Sequence, residues 1–503
     1  MDQGHALLAL IVIPLATAGI LAFIPEQRKD WVRVFAVFSG ALLFVISIYV
    51  FVAYQADGDE QFSFVLRYDW LENVGILGED GITLFLGIDG IAATMLLLNG
   101  IVTFAGTLIS WKIEYRNRDF FILFFILTTG VFGTFSSLDL FFFFFFYEIA
   151  VLPMYLLIAV WGSSSRFATF YRTKEYSAMK LMLMLVGASV LIFFGIFATF
   201  IEAGTGTFSL PDLYAQTYDE DFQKIVFPLF AIGAGCLAGL WPFHTWSPDG
   251  HVAAPTAVSM LHAGVLMKLG AFGILRLGIQ LFPEGAEFWA PALIALATVN
   301  VLYGAISALA QTDFKYVIGY SSVSHMGYVI MGLATLDPVG INGAALQMFS
   351  HGVMTALMFA MVGAIYDQAH TRELAVFGGL ASRMPQFAVY FLIAGVTSVG
   401  LPGFSGFIAE FNIFVGTFRD YPFIGALGIL GAGITAIYIF RLLALSFFGQ
   451  FNEERWGSLK EMNRFEAAGG GLLIIFILFM GLWPAPFVDR ISPTVVNFLP
   501  GVG

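Results

Sequence analysis

Apolar stretches of about twenty residues recur fourteen times along the chain, at 5–24, 32–54, 88–110, 120–137, 140–161, 176–201, 224–246, 255–280, 288–310, 315–335, 340–366, 386–417, 422–448 and 466–488. In helical form each matches the roughly 30 Å hydrocarbon core of a bilayer. Lipid offers no partner to backbone N–H and C=O groups, so only structures that satisfy their own backbone can occupy it. The pattern predicts an all-α polytopic membrane protein with about fourteen transmembrane helices. Composition agrees: 59% of the 503 residues are hydrophobic and 12% charged, with a mean hydropathy of +0.85. The Met1-Asp2 start carries no basic region of a cleaved signal, so the first stretch is read as a span.

An even number of spans puts both termini on one side. Loops after odd-numbered spans hold 15 of the 23 lysines and arginines, against Arg67, Lys224, Arg276, Arg419 and Arg490 on the other side, with Lys180, Lys268 and Arg441 inside spans. By the positive-inside rule the termini face away from the cytoplasm, as do the acidic loops at 57–80 and 212–221. The net charge of -12 therefore says little about partners, and the lipid bilayer, not nucleic acid, is the expected surroundings. The single cysteine, Cys236, excludes an iron–sulfur site or an internal disulfide. No glycine-rich nucleotide fingerprint follows a strand pattern, so no cofactor is expected in this chain.

A lysine near a bilayer midplane costs several kcal/mol and has to face a partner or a water-filled cavity. Lys268 occupies the middle of the eighth span, entered through Pro255. Just upstream, Pro242 interrupts the seventh span, and WPFHTWSPDGH supplies His244, Asp249 and His251 at its mouth. Glu148 follows a phenylalanine run in the fifth span, where a carboxylate needs a cation or a proton. Lys180 lies about a turn inside the sixth span, within snorkelling distance of the headgroups. His325 and His351 interrupt otherwise apolar helices, and histidine is the natural relay between a lysine and a carboxylate. A lone histidine is as often a packing residue, His262, six residues before Lys268, included. Glu410 follows the LPGFSGF interruption of the twelfth span, placed to exchange protons with water. The histidines lack His-x₃-His or Glu-x-x-His spacing, which argues against a metal.

Pro242 and Pro402 stand 160 residues apart in broken spans. Two five-helix units, spans 4–8 (120–285) and 9–13 (286–450), each with a broken fourth helix, are expected, preceded by spans 1–3 (1–119) and followed by a C-terminal span (451–503). An odd number of helices per unit makes them inverted relative to each other.

The motifs WPFHTWSPDGHVAAPT, LHAGVLMKLGAFG, QTDFKYVIGYSSVSHMGYV, QMFSHGVMTALMF, YDQAHTRELAVFGGLASRMP and SVGLPGFSGFIAEF closely resemble the antiporter-like membrane subunits of proton-pumping NADH:quinone oxidoreductase, respiratory complex I, most of all those of the chain M (chain 4) type. The resemblance runs from about Gly90 to Gln450. It implies one proton channel with Glu148, Lys268, His325, His351 and Glu410 at the matching positions. It also implies a bacterial inner-membrane location, chain L-like and chain N-like neighbours, and flavin, iron–sulfur clusters and quinone in partner subunits. The chain departs from the pattern at Leu237, where the family has a lysine seven residues before the histidine of FPFHTW, and at Ala253, where an acid is usual. The loop from Gly162 to Glu175 is longer than the family norm. With the lysine gone, Lys180 is expected to neutralise Glu148, and His262 with water to bridge the gap before Lys268. Rival readings are a subunit of a multisubunit Na⁺/H⁺ antiporter or membrane-bound hydrogenase, and a structural arm subunit that does not pump.

Overall fold

The computed structural model describes residues 3–55, 61–71, 81–166 and 171–499. Thirteen helices among them are long and apolar enough to cross a membrane. In chain order these are α1 (Gly4–Phe23), α2 (Lys29–Ala53), α3 (Gly90–Lys112), α4 (Asn117–Ser136), α5 (Leu140–Trp161), α6 (Lys174–Ala203), α7 (Glu220–Ala253), α8 (Thr256–Ile279), α9 (Pro283–Ala310), α10 (Phe314–Ala334), α11 (Pro338–Ala369), α13 (Pro422–Phe447) and α14 (Arg464–Leu482). The remaining expected span, α12, is split into Pro385–Ser398 and Ser405–Asp420. The chain is an integral membrane protein of about fourteen spans.

Helix starts follow capping chemistry. Asp89, Asp139, Thr173, Asp313 and Asp337 each accept a backbone N–H of the following first turn, in α3, α5, α6, α10 and α11, and Asn463 closes a capping box on α14. The helices differ in what surrounds them. α6 and α13 expose Leu183, Phe194, Ile437 and Phe440, as lipid-facing helices do. α3, α8, α10 and α11 are buried almost all round, which makes them the bundle's interior. Lys268, His325 and His351 belong to three of these four. α8 and α11 touch backbone to backbone: a Cβ added at Gly264 would meet Gly352 O at 3.0 Å, and one at Gly352 would meet Gly264 O at 2.7 Å. That glycine crossing lies beside His351.

Two features have no counterpart in the sequence reading. Part of the expected acidic loop is an antiparallel hairpin, β1 (Ser63–Leu71) with β2 (Ile82–Ile88), in which Phe64 and Leu66 alternate with exposed Val65 and Arg67. Residues 57–60 and 72–80 of that loop lie outside the described residues. The last span ends at Leu482, before Trp483-Pro484, and an amphipathic helix, α15 (Ala485–Phe498), follows. α15 lies over the ends of α2 and α3, where Arg490 donates to the Phe51 carbonyl at 2.7 Å and Thr494 accepts from Gly90 N at 2.9 Å.

The hairpin is tied to the bundle through Leu86 paired with Ser137 and through Thr83 N donating to Asp139. Asp139 is fully buried, accepts from Phe142 N at 3.0 Å and Thr83 N at 3.4 Å, and burial pushes its carboxyl up to about 7. The folded protein therefore holds this proton over a range where the unfolded chain, near ~3.9, has lost it. Its contribution to stability falls as pH rises from about 4 to about 7 and is level above that. Asp139→Asn keeps the cap and removes the titration, so the melting temperature of the variant minus that of the native protein should grow between about pH 5 and about pH 8. A constant difference across that range would contradict the assignment.

Candidate functional site

The break in α7 is built from groups that satisfy the interrupted backbone. The first segment ends at Ala238, and Gly239 follows at φ +79°. Asn300 of α9 accepts from Trp241 N at 2.5 Å and donates to Gly239 O at 2.7 Å, while Trp246 Nε1 donates to Cys236 O at 3.0 Å. Beyond the break the helix resumes as Trp246–Ala253, carrying Asp249 and His251. His244, in the connecting turn, is buried, its ring 5.0 Å from that of Tyr303.

α8 is irregular where the chemistry lies. From His262 to Leu266 it is a π-helix, in which Met267 N–H closes onto His262 C=O, five residues back. Such single-turn bulges shift side chains and carbonyls out of the regular helical register and recur at functional sites. The Lys268 ammonium donates to Ala263 O at 2.5 Å and lies 2.7 Å from His351 Nδ1. It is 0% exposed and, among the described residues, forms no ion pair with a carboxylate.

From Lys268 the polar groups continue in a row. The His351 ring stacks on that of His325 at 5.4 Å. His325 Nε2 is 2.9 Å from Ser398 Oγ, and its Nδ1 is 3.2 Å from Gln347 Nε2 and 3.4 Å from Glu410 Oε1. Glu410 lies over the break in α12, where Gly400 has φ +73° and a Cβ added to it would meet Glu410 Oε2 at 2.7 Å. Four of the seven sequence-derived candidates, Lys268, His351, His325 and Glu410, are thus brought together from α8, α11, α10 and α12.

His262 stands beside this row. Its ring stacks on Trp246 at 5.2 Å and meets His251 edge-on at 4.2 Å, and neither nitrogen has a protein partner. His251 Nε2 is 3.0 Å from Ser247 Oγ. Glu148 is separate and half-buried; its side chain faces Ser189 of α6, and Oε1 has no hydrogen-bond partner among the described residues. Leu237 is fully buried within the apolar core.

Lys180 does not neutralise Glu148. Its ammonium is 2.8 Å from Asp249, which also takes the Arg172 guanidinium and accepts from Tyr316 OH at 3.3 Å. Depth explains the choice: Lys180 is six residues from the start of α6, about 9 Å along the helix, whereas Glu148 is thirteen residues, roughly 20 Å, from the end of α5 on the same face. A lysine side chain does not span that difference. Arg276, counted above with the loops, is instead buried in a second π segment of α8 and paired with Asp89 at 2.6 Å. Gln347, Ser398 and Asn300 were missed; neutral amides and hydroxyls carry no charge penalty to mark them in an apolar helix. No group of His, Cys, Asp and Glu among the described residues is arranged to hold a metal.

Gly400→Ala should displace the Glu410 carboxylate from His325, because the new Cβ needs its space and the backbone disfavours any side chain at that φ. Proton transport should fall severalfold, while Gly187→Ala, which meets nothing within 4 Å, should leave it unchanged. Equal transport by both variants would contradict the geometry.

Residues 137–435 match the family model described as NADH:quinone oxidoreductase/Mrp antiporter, TM. The chain is 33% identical over 498 residues to NADH-quinone oxidoreductase subunit M of Rickettsia typhi, covering 97% of each chain. It is 34% identical over 496 residues to NAD(P)H-quinone oxidoreductase chain 4 of Acaryochloris marina, covering 96% of this chain and 90% of that one. A chain of respiratory complex I from Thermus thermophilus superposes with a TM-score of 0.88 at 26% identity, over 99% of this chain and 100% of that one. A chain of the Mrp complex from a Dietzia species shares the fold, with a TM-score of 0.85 at 19% identity over 100% and 98% of the two chains. With more than half of its length matched by the family model and relatives of one-third identity aligned nearly end to end, this chain belongs to the NADH:quinone oxidoreductase/Mrp antiporter transmembrane family.

Proposed function

We propose that this chain is the chain M-type proton-translocating membrane subunit of a quinone-reducing complex I, with both termini on the outer side of a bacterial inner membrane. Electron transfer occurs in partner subunits that hold flavin, iron–sulfur clusters and quinone, and chain L-like and chain N-like subunits flank it. The observation that carries the reading is the row Lys268–His351–His325–Glu410, four buried ionisable side chains in series, three of them on the most buried helices of the bundle. Charge arriving beside one member changes the proton affinity of the next, so a shift imposed from outside the chain can be passed along it.

Access from the cytoplasmic side is served by His262 and His251 in place of the lysine missing at Leu237. His251 shares a helix with Asp249 and His262 shares one with Lys268, their rings are 4.2 Å apart, and the His262 nitrogens, with no hydrogen-bond partner among the described residues, suit water or a proton. A cavity of about 430 Å³ lined by Lys112, Lys315, Asp367 and Glu466 opens on that same side. Glu148, off the row and half-buried, takes its cation from a neighbouring subunit. The two five-helix units, α4–α8 and α9–α13, are inverted repeats; a broken fourth helix in each supports this.

In assembled complexes Lys268→Ala and Glu410→Gln should each abolish or strongly reduce proton pumping while the chain still inserts. Native pumping from an assembled Lys268→Ala complex would overturn the function. His262→Leu should lower pumping; an unchanged rate would show that this residue only packs.

A further inference from the structure

His325 offers two chemically distinct nitrogens, and what each one faces decides which of them can take part in proton transfer. Nε2 meets Ser398 Oγ at 2.9 Å. Ser398 faces Tyr438 of α13, whose hydroxyl lies 2.7 Å from Ser321 Oγ. Nδ1 meets the Gln347 amide nitrogen at 3.2 Å and Glu410 Oε1 at 3.4 Å. Ser321, Gln347, Ser398 and Tyr438 are all buried, and Gln347 Oε1 has no partner.

The hydroxyls on the Ser398 side can be ordered in one direction. Tyr438 gives its hydrogen to Ser321, so its oxygen is free to accept from Ser398, and Ser398 is left to accept from Nε2–H. That arrangement pins one proton on Nε2. Nδ1 then carries no proton in the neutral ring, and the Gln347 N–H donates to it. When His325 gains a second proton, Nδ1 becomes a donor, and a half-turn of the Gln347 amide about its last torsion presents Oε1 to it with no change of volume. Nδ1–H then faces Glu410. Passing the proton on breaks Nδ1–H and forms Oε1–H on Glu410, and the return of the Gln347 N–H to Nδ1 blocks the backward step.

We propose that Ser398 and Tyr438 are positioning residues that hold His325 in its Nε2–H tautomer, and that the Gln347 amide, by flipping, acts as a valve between His325 and Glu410. The inference rests on the function proposed above. The titratable and charged groups facing His325 are Glu410 on α12, His351 on α11 with Lys268 of α8 behind it, and Tyr438 on α13; the Tyr328 ring lies 5.9 Å away on its own helix.

The test compares Ser398→Ala, Ser398→Thr, Tyr438→Phe and Gln347→Leu with Glu410→Gln in assembled complexes reconstituted into vesicles, recording proton pumping against pH at matched quinone-reduction rates. Ser398→Ala should lower pumping about tenfold, the loss of one hydrogen bond to a charged group. Its pumping-versus-pH curve should move about one unit toward acid, because the imidazolium then lacks one of its two acceptors. Ser398→Thr, which keeps the hydroxyl, should restore both rate and curve. Tyr438→Phe should shift the curve in the same direction by less, and Gln347→Leu should pump slowly with an unmoved curve. If Ser398→Ala and Tyr438→Phe pump at the native rate with the native curve while Glu410→Gln does not pump, the tautomer assignment is overturned and the proton row stands. Native pumping by Glu410→Gln would instead overturn the row itself.

Discussion

The ammonium of Lys268, buried without a counter-ion, is the constraint to which the rest of the bundle answers. Its partners are a backbone carbonyl and a histidine nitrogen, both neutral acceptors. Taking an isolated charge out of water costs several kcal/mol even after relaxation, and a neutral hydrogen bond returns only part of that. The site is therefore held in a state whose protonation a nearby change can alter. To reach those partners, α8 carries a π-turn just ahead of Lys268, and α8 and α11 meet through Gly264 and Gly352, where a Cβ on Gly352 would come within 2.7 Å of Gly264 O. Packing in the core is arranged around a polar requirement.

The two broken helices obey a related rule. Irregular backbone survives at membrane depth only where protein groups satisfy it. In α7 an asparagine and a tryptophan serve that purpose, and the break is closed. In α12 the break leaves a carboxylate resting against a glycine, with Glu410 Oε1 turned to His325 Nδ1 at 3.4 Å. One interruption is bridged by neutral groups and the other lies against an ionisable one, with Leu237 beside the first and Glu410 beside the second.

Most of the architecture could be read from the chain, because length and apolarity are what a bilayer selects. Lys268, His325, His351 and Glu410 were visible for the converse reason: an ionisable residue in such a stretch carries an energetic penalty that demands a purpose. Partner choice was less legible. Lys180 sits on the helix following Glu148, yet its carboxylate is Asp249, because depth along two antiparallel helices, not order in the chain, decides which charges meet. Arg276 lay too near a predicted span end to be placed, and its mate Asp89, which also caps α3, stands just outside a span where a carboxylate attracts no notice. The β1–β2 hairpin was hidden by its neighbours: an acidic stretch reads as loop even when its Phe64 and Leu66 alternate inward.

The partnership between Lys268 and His351 also bears on how the protein is made. The two residues are separated by 83 positions. At a synthesis rate of 5 to 20 residues per second, roughly 4 to 17 seconds pass between the appearance of the lysine and that of its acceptor. During that interval α8 has to leave the insertion machinery with a charge near its midpoint, a burden of about 3 kcal/mol on the insertion scale, and without the helix that will shelter it. Its other packing partners, α3 and α7, are already in place, and Gly270 lets α8 close directly on Ala234 and Ala238 of α7. The nascent chain can thus shelter the lysine against helices already made, before α11 completes the enclosure.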